Sequence, residues 1–245
     1  MKSILLLLIT SSLAFAQSAK EWIKKGDAFE AKGQPQQALA AYTAAEKSAP
    51  ADAALLVKIA KQHGDLMPTL GNAARKSAAE KSLEYSRRAV KADSRSSDSH
   101  LAVALSLGKI TPFLGSRQKI EASREIKSSA DTALRLNPRS DYAHHMLGRW
   151  HQEMAGIGGA TRLIAKAVYG EIPKGSYEEA LDHFTKARKI NNKRLIHQIE
   201  YGRTLAMMDR DAEAKIEIQK GLNMPNREAD DSESKQRGRK TLNEL

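Results

Sequence analysis

The chain of 245 residues contains no cysteine, and aromatic residues make up only 5% of it. The absence of cysteine excludes disulfide scaffolds, thiolate zinc sites, iron–sulfur clusters and cysteine nucleophiles. The low aromatic content leaves too few rings for a platform that stacks on nucleic-acid bases. Hydrophobic residues reach 41% and charged residues 28%, which is typical of a chain that folds around a packed core.

Positive charge is in excess, with 40 Lys and Arg against 29 Asp and Glu and a formal net charge of +11. This balance favours acidic partners. The basic residues are spread along the chain, often beside acids, so we do not expect nucleic acid to be a partner. We expect a protein or peptide partner of acidic character.

The long apolar run of the sequence lies at its N-terminus. Residues 1–16 read MKSILLLLITSSLAFA, with one lysine before the run and Ala14-Phe15-Ala16 at its end. This pattern is typical of a secretory signal peptide. The run is shorter than the roughly 20 residues of a membrane-spanning helix. We expect cleavage near Gln17 and an exported protein, periplasmic or secreted, that is soluble after cleavage.

Small residues recur through the rest of the chain at the spacing of a tetratricopeptide repeat, in which two helices form a hairpin. In the first helix of each hairpin, the small position falls at Gly26, Ala60, Ala104, Gly148 and Gly202. In the second helix it falls at Ala45, Ala89, Ala133, Ala187 and Gly221. The chain therefore contains five hairpins.

The three middle hairpins exceed the repeat length of ~34 residues by about 10, 10 and 20 residues, and the extra length lies inside each hairpin. The sequence predicts an all-α, right-handed tetratricopeptide-like solenoid over residues 17–225 with long insertions inside its hairpins. Residues 226–245 are predicted to form a polar capping helix, with a disordered tail as the alternative. Four large side chains are expected to be buried between hairpins: Trp22, His144, Trp150 and Phe184.

Two segments are more specific than a generic repeat. Residues 137–150 read NPRSDYAHHMLGRW, and residues 176–187 read SYEEALDHFTKA, with LIAKAVYGEIP between them. Together they resemble the regulator of microtubule dynamics family of tetratricopeptide proteins. The resemblance implies an α-helical, non-enzymatic binding protein, linked in eukaryotic members to microtubules and organelle membranes.

No combination of residues indicates catalysis, a metal site or a cofactor. His144 and His151 lie seven residues apart on one helix face, but the repeat places packing residues at these positions. The glycines of residues 156–159 lack the strand and helix that flank a dinucleotide-binding turn. We expect no catalytic residue, no metal ligand and no cofactor.

The concave face of a solenoid, lined by the first helices, is the predicted binding surface. Counting from each small position gives inward-facing residues that combine cations with apolar side chains. They are Lys24, Asp27, Lys58, Lys61, Leu101, Leu105, His145, Met146, Arg149 and Arg203. We predict that they form a basic groove for a partner segment. The alternative is that they are ordinary solvated helix faces.

A second functional hypothesis concerns the longest insertion. Residues 160–169 form a basic amphipathic helix, with Arg162 and Lys166 on one face. The apolar face consists of Leu163, Ile164, Ala167 and Val168. The alternative function is therefore binding of a hydrophobic ligand, a lipid or a membrane surface through this helix. The structural alternative is a lid helix packed onto the solenoid by its apolar face.

Overall fold

The structure is a computed structural model that describes residues 18–245, so the predicted signal peptide at residues 1–16 lies outside the described residues. Within the described range every regular element is helical, which confirms the all-α prediction. In the same range, no helix has both the length and the apolar character that a membrane crossing requires.

Twelve α-helices follow one another in the described residues. They are α1 (18–30), α2 (Pro35–Glu46), α3 (Ala53–Leu66), α4 (Asn72–Ala92), α5 (Ser97–Ile110), α6 (Ser116–Leu136), α7 (Asp141–Ala155), α8 (Gly159–Tyr169), α9 (Tyr177–Ile190), α10 (Leu195–Ala206), α11 (Asp211–Asn223) and α12 (Asp231–Glu244). As the hairpin prediction requires, α3 packs on α4, α7 on α9 and α10 on α11. Helix α8 is the extra element inside the α7–α9 hairpin.

The chain forms two compact units, and the boundary between them falls inside α5, between Ala102 and Val103. The first unit has a core in which Tyr42 of α2 packs with Leu55 and Ile59 of α3. In the second unit, Phe184 of α9 and Ile199 of α10 are fully buried.

In three of the hairpins a glycine on the first helix packs against a large side chain on the second. A Cβ atom added to Gly148 would lie 2.8 Å from the Phe184 ring, and one added to Gly202 would lie 2.7 Å from Ile218. Gly26 faces the Tyr42 ring in the same way, at 2.3 Å. Only glycine therefore lets the two helices approach this closely.

The insertions take two different forms. In the first two, a short 3₁₀ turn (Met67–Thr69 or Thr111–Phe113) precedes a glycine cap and a 21-residue second helix. The added residues therefore lengthen the second helix. In the third insertion the added residues form α8, a separate helix.

Three of the four large side chains predicted to be buried are buried, namely His144, Trp150 and Phe184. The prediction for Trp22 is wrong, since 37% of its surface remains exposed. Tyr42 fills the space above Gly26, and the Trp22 ring instead lies 4.7 Å from Lys25 Nζ.

The small-to-large packing can be tested with two glycines that both lie inside helices. Gly148→Ala should destabilise the protein by about 1–3 kcal/mol, because the new methyl group overlaps the Phe184 ring. Gly108→Ala is the matched control: its Cβ would lie at an ordinary 3.5 Å from Met146 Cε. There the higher helix propensity of alanine should stabilise the protein by about 0.5–1 kcal/mol. Urea unfolding measures both, and equal effects would contradict the packing account.

Candidate functional site

The second unit contains a cavity of about 650 Å³. Its walls come from the end of α5, the first half of α6, one face of α7, the segment after α8, and single residues of α10 and α12. A cavity of this size falls within the range of ligand-binding clefts in proteins.

Most of the lining is apolar. The apolar side chains that line it include Leu105, Ile120, Met146, Trp150, Ile172 and Ile196. Trp150 is held in place because its Nε1 donates hydrogen bonds to the carbonyl oxygen and to Oγ of Ser123, at 2.9 and 3.0 Å. A buried indole with a satisfied N–H gives the cavity a rigid apolar wall.

Two lysines add positive charge to this lining. Lys109 from the end of α5 and Lys119 from the first turn of α6 both border the cavity. Within residues 18–245, neither lysine makes an ion pair. Their charge is therefore available to an acidic group of a ligand.

Two of the lining arginines, Arg149 and Arg237, pair with a buried carboxylate that a third arginine shares. Glu200 of α10 is fully buried and accepts from Arg149 Nη1 at 3.0 Å, from Arg203 Nη1 at 2.6 Å and from Arg237 Nε at 3.2 Å. Arg149 also pairs with the exposed Glu153 at 2.7 Å. Helices α7, α10 and α12 are thus joined through one side chain.

The charges around Glu200 determine its protonation. Burial alone would raise the pKa of this carboxyl, but the guanidinium groups of Arg149, Arg203 and Arg237 outweigh it and lower the pKa to about 2. Glu200 is therefore ionised over the whole physiological range of pH, and it offsets part of the positive charge of the three arginines.

The structure brings four of the predicted groove residues together at the cavity: Leu105, His145, Met146 and Arg149. His145 is buried, and its Nδ1 lies 3.1 Å from Nδ1 of His197. Burial holds the pKa of His145 well below its usual value, so the ring is neutral there. Arg203 does not line the cavity and instead forms an ion pair with Glu200.

The first unit holds the other five predicted residues: Lys24, Asp27, Lys58, Lys61 and Leu101. Here the cations are matched by acids. Lys58 Nζ lies 2.8 Å from Asp27, and Lys61 Nζ lies 3.0 Å from Glu30 and 2.5 Å from Asp65. Lys24 is exposed and Leu101 is half-buried. Three carboxylates thus surround two lysines, and these paired positions leave little positive charge for a partner.

Several lining residues were not predicted, among them Lys109, Lys119, Trp150 and Arg237. Counting from the small position of each first helix excludes Lys119 on a second helix and Arg237 on α12. The positions counted along α5 and α7 do not include Lys109 and Trp150. The available signal for Lys119 was the turn at residues 111–116, which has proline and glycine at the same spacing as the turn at residues 67–72. This repeated turn indicates that a longer second helix follows it.

Histidines 144, 151 and 183 cluster on the α7–α9 interface, away from the cavity. Nδ1 of His144 lies 3.1 Å from Nδ1 of His183, and the His183 ring stacks on His151. Burial, together with the two neighbouring imidazoles, lowers the pKa of His183 to about 4. In the part of the chain that the structure describes, no group of three or more such ligands is arranged to hold a metal ion.

Stacked helical hairpins with small-to-large packing define this chain as a helical-repeat protein of the tetratricopeptide class. Solved structures share the fold. A thermophilic tetratricopeptide protein from Thermus thermophilus aligns with a TM-score of 0.65 over 91% of this chain and 98% of its own, at 17% identity. The Pseudomonas aeruginosa protein pilF aligns with a TM-score of 0.54 over 94% and 90%, at 14% identity.

Residues 22–245 match the model of the family described as regulator of microtubule dynamics protein 1-3, and the chain belongs to this family. Regulator of microtubule dynamics protein 1 from Bos taurus is 30% identical over 142 residues, which cover 57% of this chain and 45% of the relative. Its Homo sapiens counterpart is 31% identical over 109 residues, or 44% and 35%. The chain therefore spans less than half the length of these relatives.

The role of Glu200 can be tested against that of Glu153, since both pair with Arg149. Glu200→Gln should destabilise the protein by about 3–5 kcal/mol, because it leaves three half-buried guanidinium groups without the buried carboxylate that neutralises them. Glu153→Gln removes an exposed partner and should change stability by less than ~1 kcal/mol. Urea unfolding at neutral pH measures both, and a small effect at Glu200 would refute its central role.

Proposed function

We propose that this protein is an exported, non-catalytic interaction scaffold whose second unit binds a partner segment in the cavity described above. The segment would present apolar side chains to the cavity and an acidic group to Lys109 and Lys119. The single observation that supports this proposal most is the combination of a large apolar cavity with two unpaired lysines on its border.

The charges around the cavity support an acidic segment. Four lining residues are basic (Lys109, Lys119, Arg149 and Arg237) and two are acidic (Glu153 and Asp230). Arg149 also retains a buried Nε with no hydrogen-bond acceptor in the described structure. A carboxylate near the lysines would meet uncompensated positive charge, and complementary charge of this kind favours specific binding and fast association.

Family membership is consistent with a binding role. The curated relatives are named as regulators of microtubule dynamics, and the chain spans less than half of their length. We propose that the shared part supplies the interaction module, and that a microtubule-related role of the relatives depends on their own partners.

Peptide selection tests whether the cavity binds a partner segment. A displayed random-peptide library panned against the protein should yield peptides that combine apolar residues with Asp or Glu. Lys109→Glu with Lys119→Glu should weaken their binding about tenfold or more, measured by fluorescence anisotropy, because charge complementarity becomes repulsion.

Lys189→Glu with Lys193→Glu is the matched control. These exposed lysines lie outside the cavity lining, and the double reversal changes the net charge by the same amount. Binding should survive in this control. Equal losses in the two variants would mean that overall charge, and not the cavity, determines binding, and this would overturn the proposal.

The proposed export rests on the signal-like residues 1–16. Protein isolated from its native host should begin at or near Gln17, as determined by N-terminal sequencing. An intact Met1 on the folded protein would contradict export by this route.

A further inference from the structure

Helix α8 exposes its apolar side chains to solvent. Leu163, Ile164 and Val168 are 71%, 67% and 58% exposed, and no residue of α8 is buried. These residues lie close together on one face of an 11-residue helix. The lid arrangement considered above, with the apolar face packed onto the solenoid, is therefore wrong.

The orientation of α8 is fixed by its charged side. Arg162 donates to three backbone carbonyl oxygens, those of Met154 at 2.7 Å, Pro173 at 2.9 Å and Ile172 at 3.1 Å. Ala165 and Tyr169 follow Arg162 on the same face and are half-buried. Arg162 thus holds one face of the helix against the protein, and the apolar face points away from it.

We infer that α8 docks this protein onto the surface of an anionic lipid bilayer. An exposed apolar stripe flanked by cations is the pattern of helices that lie in the membrane interface. At 11 residues α8 is too short to cross a bilayer, which takes roughly 20. It would lie in the plane of the headgroups, with Leu163, Ile164 and Val168 inserted.

The surrounding charges favour anionic lipid. Arg162 is engaged by backbone carbonyls, so the exposed cations of residues 156–175 are Lys166 and Lys174, against one acid, Glu171. Lys166 is 61% exposed beside the apolar stripe, and its one acidic neighbour, the exposed Glu171 carboxylate, lies 3.9 Å away. Arg124 of α6 donates to the Glu171 carbonyl at 2.9 Å, which adds a further cation at this edge of the unit. Basic residues near an anionic surface are attracted to it, and this attraction adds to the insertion of the apolar side chains.

The same charges argue against a second copy of the chain as the occupant. Two α8 faces brought together would place like charges side by side in a protein whose net charge is already +11. Glycines lie at both ends of α8. Gly158 and Gly159 have open space around them, and Gly170 has a φ of +80° that favours glycine.

Vesicle co-sedimentation tests this inference directly. The wild-type protein should bind phosphatidylcholine vesicles that contain phosphatidylglycerol and bind pure phosphatidylcholine vesicles more weakly. A triple variant, Leu163→Gln, Ile164→Gln and Val168→Gln, should bind the anionic vesicles at least about tenfold more weakly. Because all three side chains are mostly exposed, far-ultraviolet circular dichroism should show unchanged helicity.

The matched control is Met207→Gln with Ile216→Gln. These apolar residues are also exposed, at 41% and 55%, but they lie at the end of α10 and in α11, outside α8. Vesicle binding should be unchanged in this variant. Lys166→Glu should reduce binding to anionic vesicles and leave binding to pure phosphatidylcholine nearly unchanged.

A second measurement uses the lack of native cysteine. An environment-sensitive fluorophore on Ile164→Cys should shift to the blue when anionic vesicles are added, and the same label on Ile216→Cys should not. Absence of vesicle binding by the wild-type protein, or equal shifts at both labels, would overturn the inference. Concentration-dependent dimerisation in ultracentrifugation that the triple variant abolishes would overturn it in favour of a second copy. These results do not test the separate proposal that the cavity binds a partner segment.

Discussion

The ion pairs between the buried carboxylate of Glu200 and three arginines position part of the cavity lining in the second unit. Arginines from α7, α10 and α12 converge on it, and two of them, Arg149 and Arg237, also line the cavity. Without the carboxylate these guanidinium groups would repel one another in a partly dry environment. Glu200 of α10 thus positions Arg149 and Arg237 at the border of the cavity.

Helix α7 connects this electrostatic centre to the hairpin packing. One face of α7 places Gly148 against Phe184, and this close approach fixes its distance from α9. The opposite face presents Met146 and Arg149 to the cavity, and Trp150 is held by Ser123 of α6. The glycine that permits close packing therefore also determines where the groove residues lie.

Periodicity and small residues were sufficient to predict the all-α fold and the α3–α4, α7–α9 and α10–α11 hairpins, because helix–helix approach imposes strict requirements on side-chain size. Met146 and Arg149 were predicted for the same reason, since their spacing from Gly148 determines which face they occupy. The exposure of Trp22 was missed because Tyr42 competes for the same space. A count along single first helices cannot find Lys119 of α6 and Arg237 of α12, which reach the cavity through tertiary contacts. Lys109 lies on a first helix, one position beyond those counted.

The orientation of α8 shows a similar limit. Its amphipathic pattern was evident in the sequence, but the pattern alone does not determine which face turns toward the protein. The hydrogen bonds that Arg162 donates to three carbonyl oxygens determine which face turns toward the protein. Ile157 and Ile172, which flank α8 in the sequence, both line the cavity. The exposed helix is therefore connected at both ends to the cavity wall.

The central claim is that the cavity of the second unit is the binding site for a partner segment. Hydrogen–deuterium exchange with and without the tightest selected peptide tests it most directly. The account predicts slower exchange in residues 105–126 and 142–157, which contain most of the cavity lining. Protection confined to α9 and α11, or to the first unit, would contradict it.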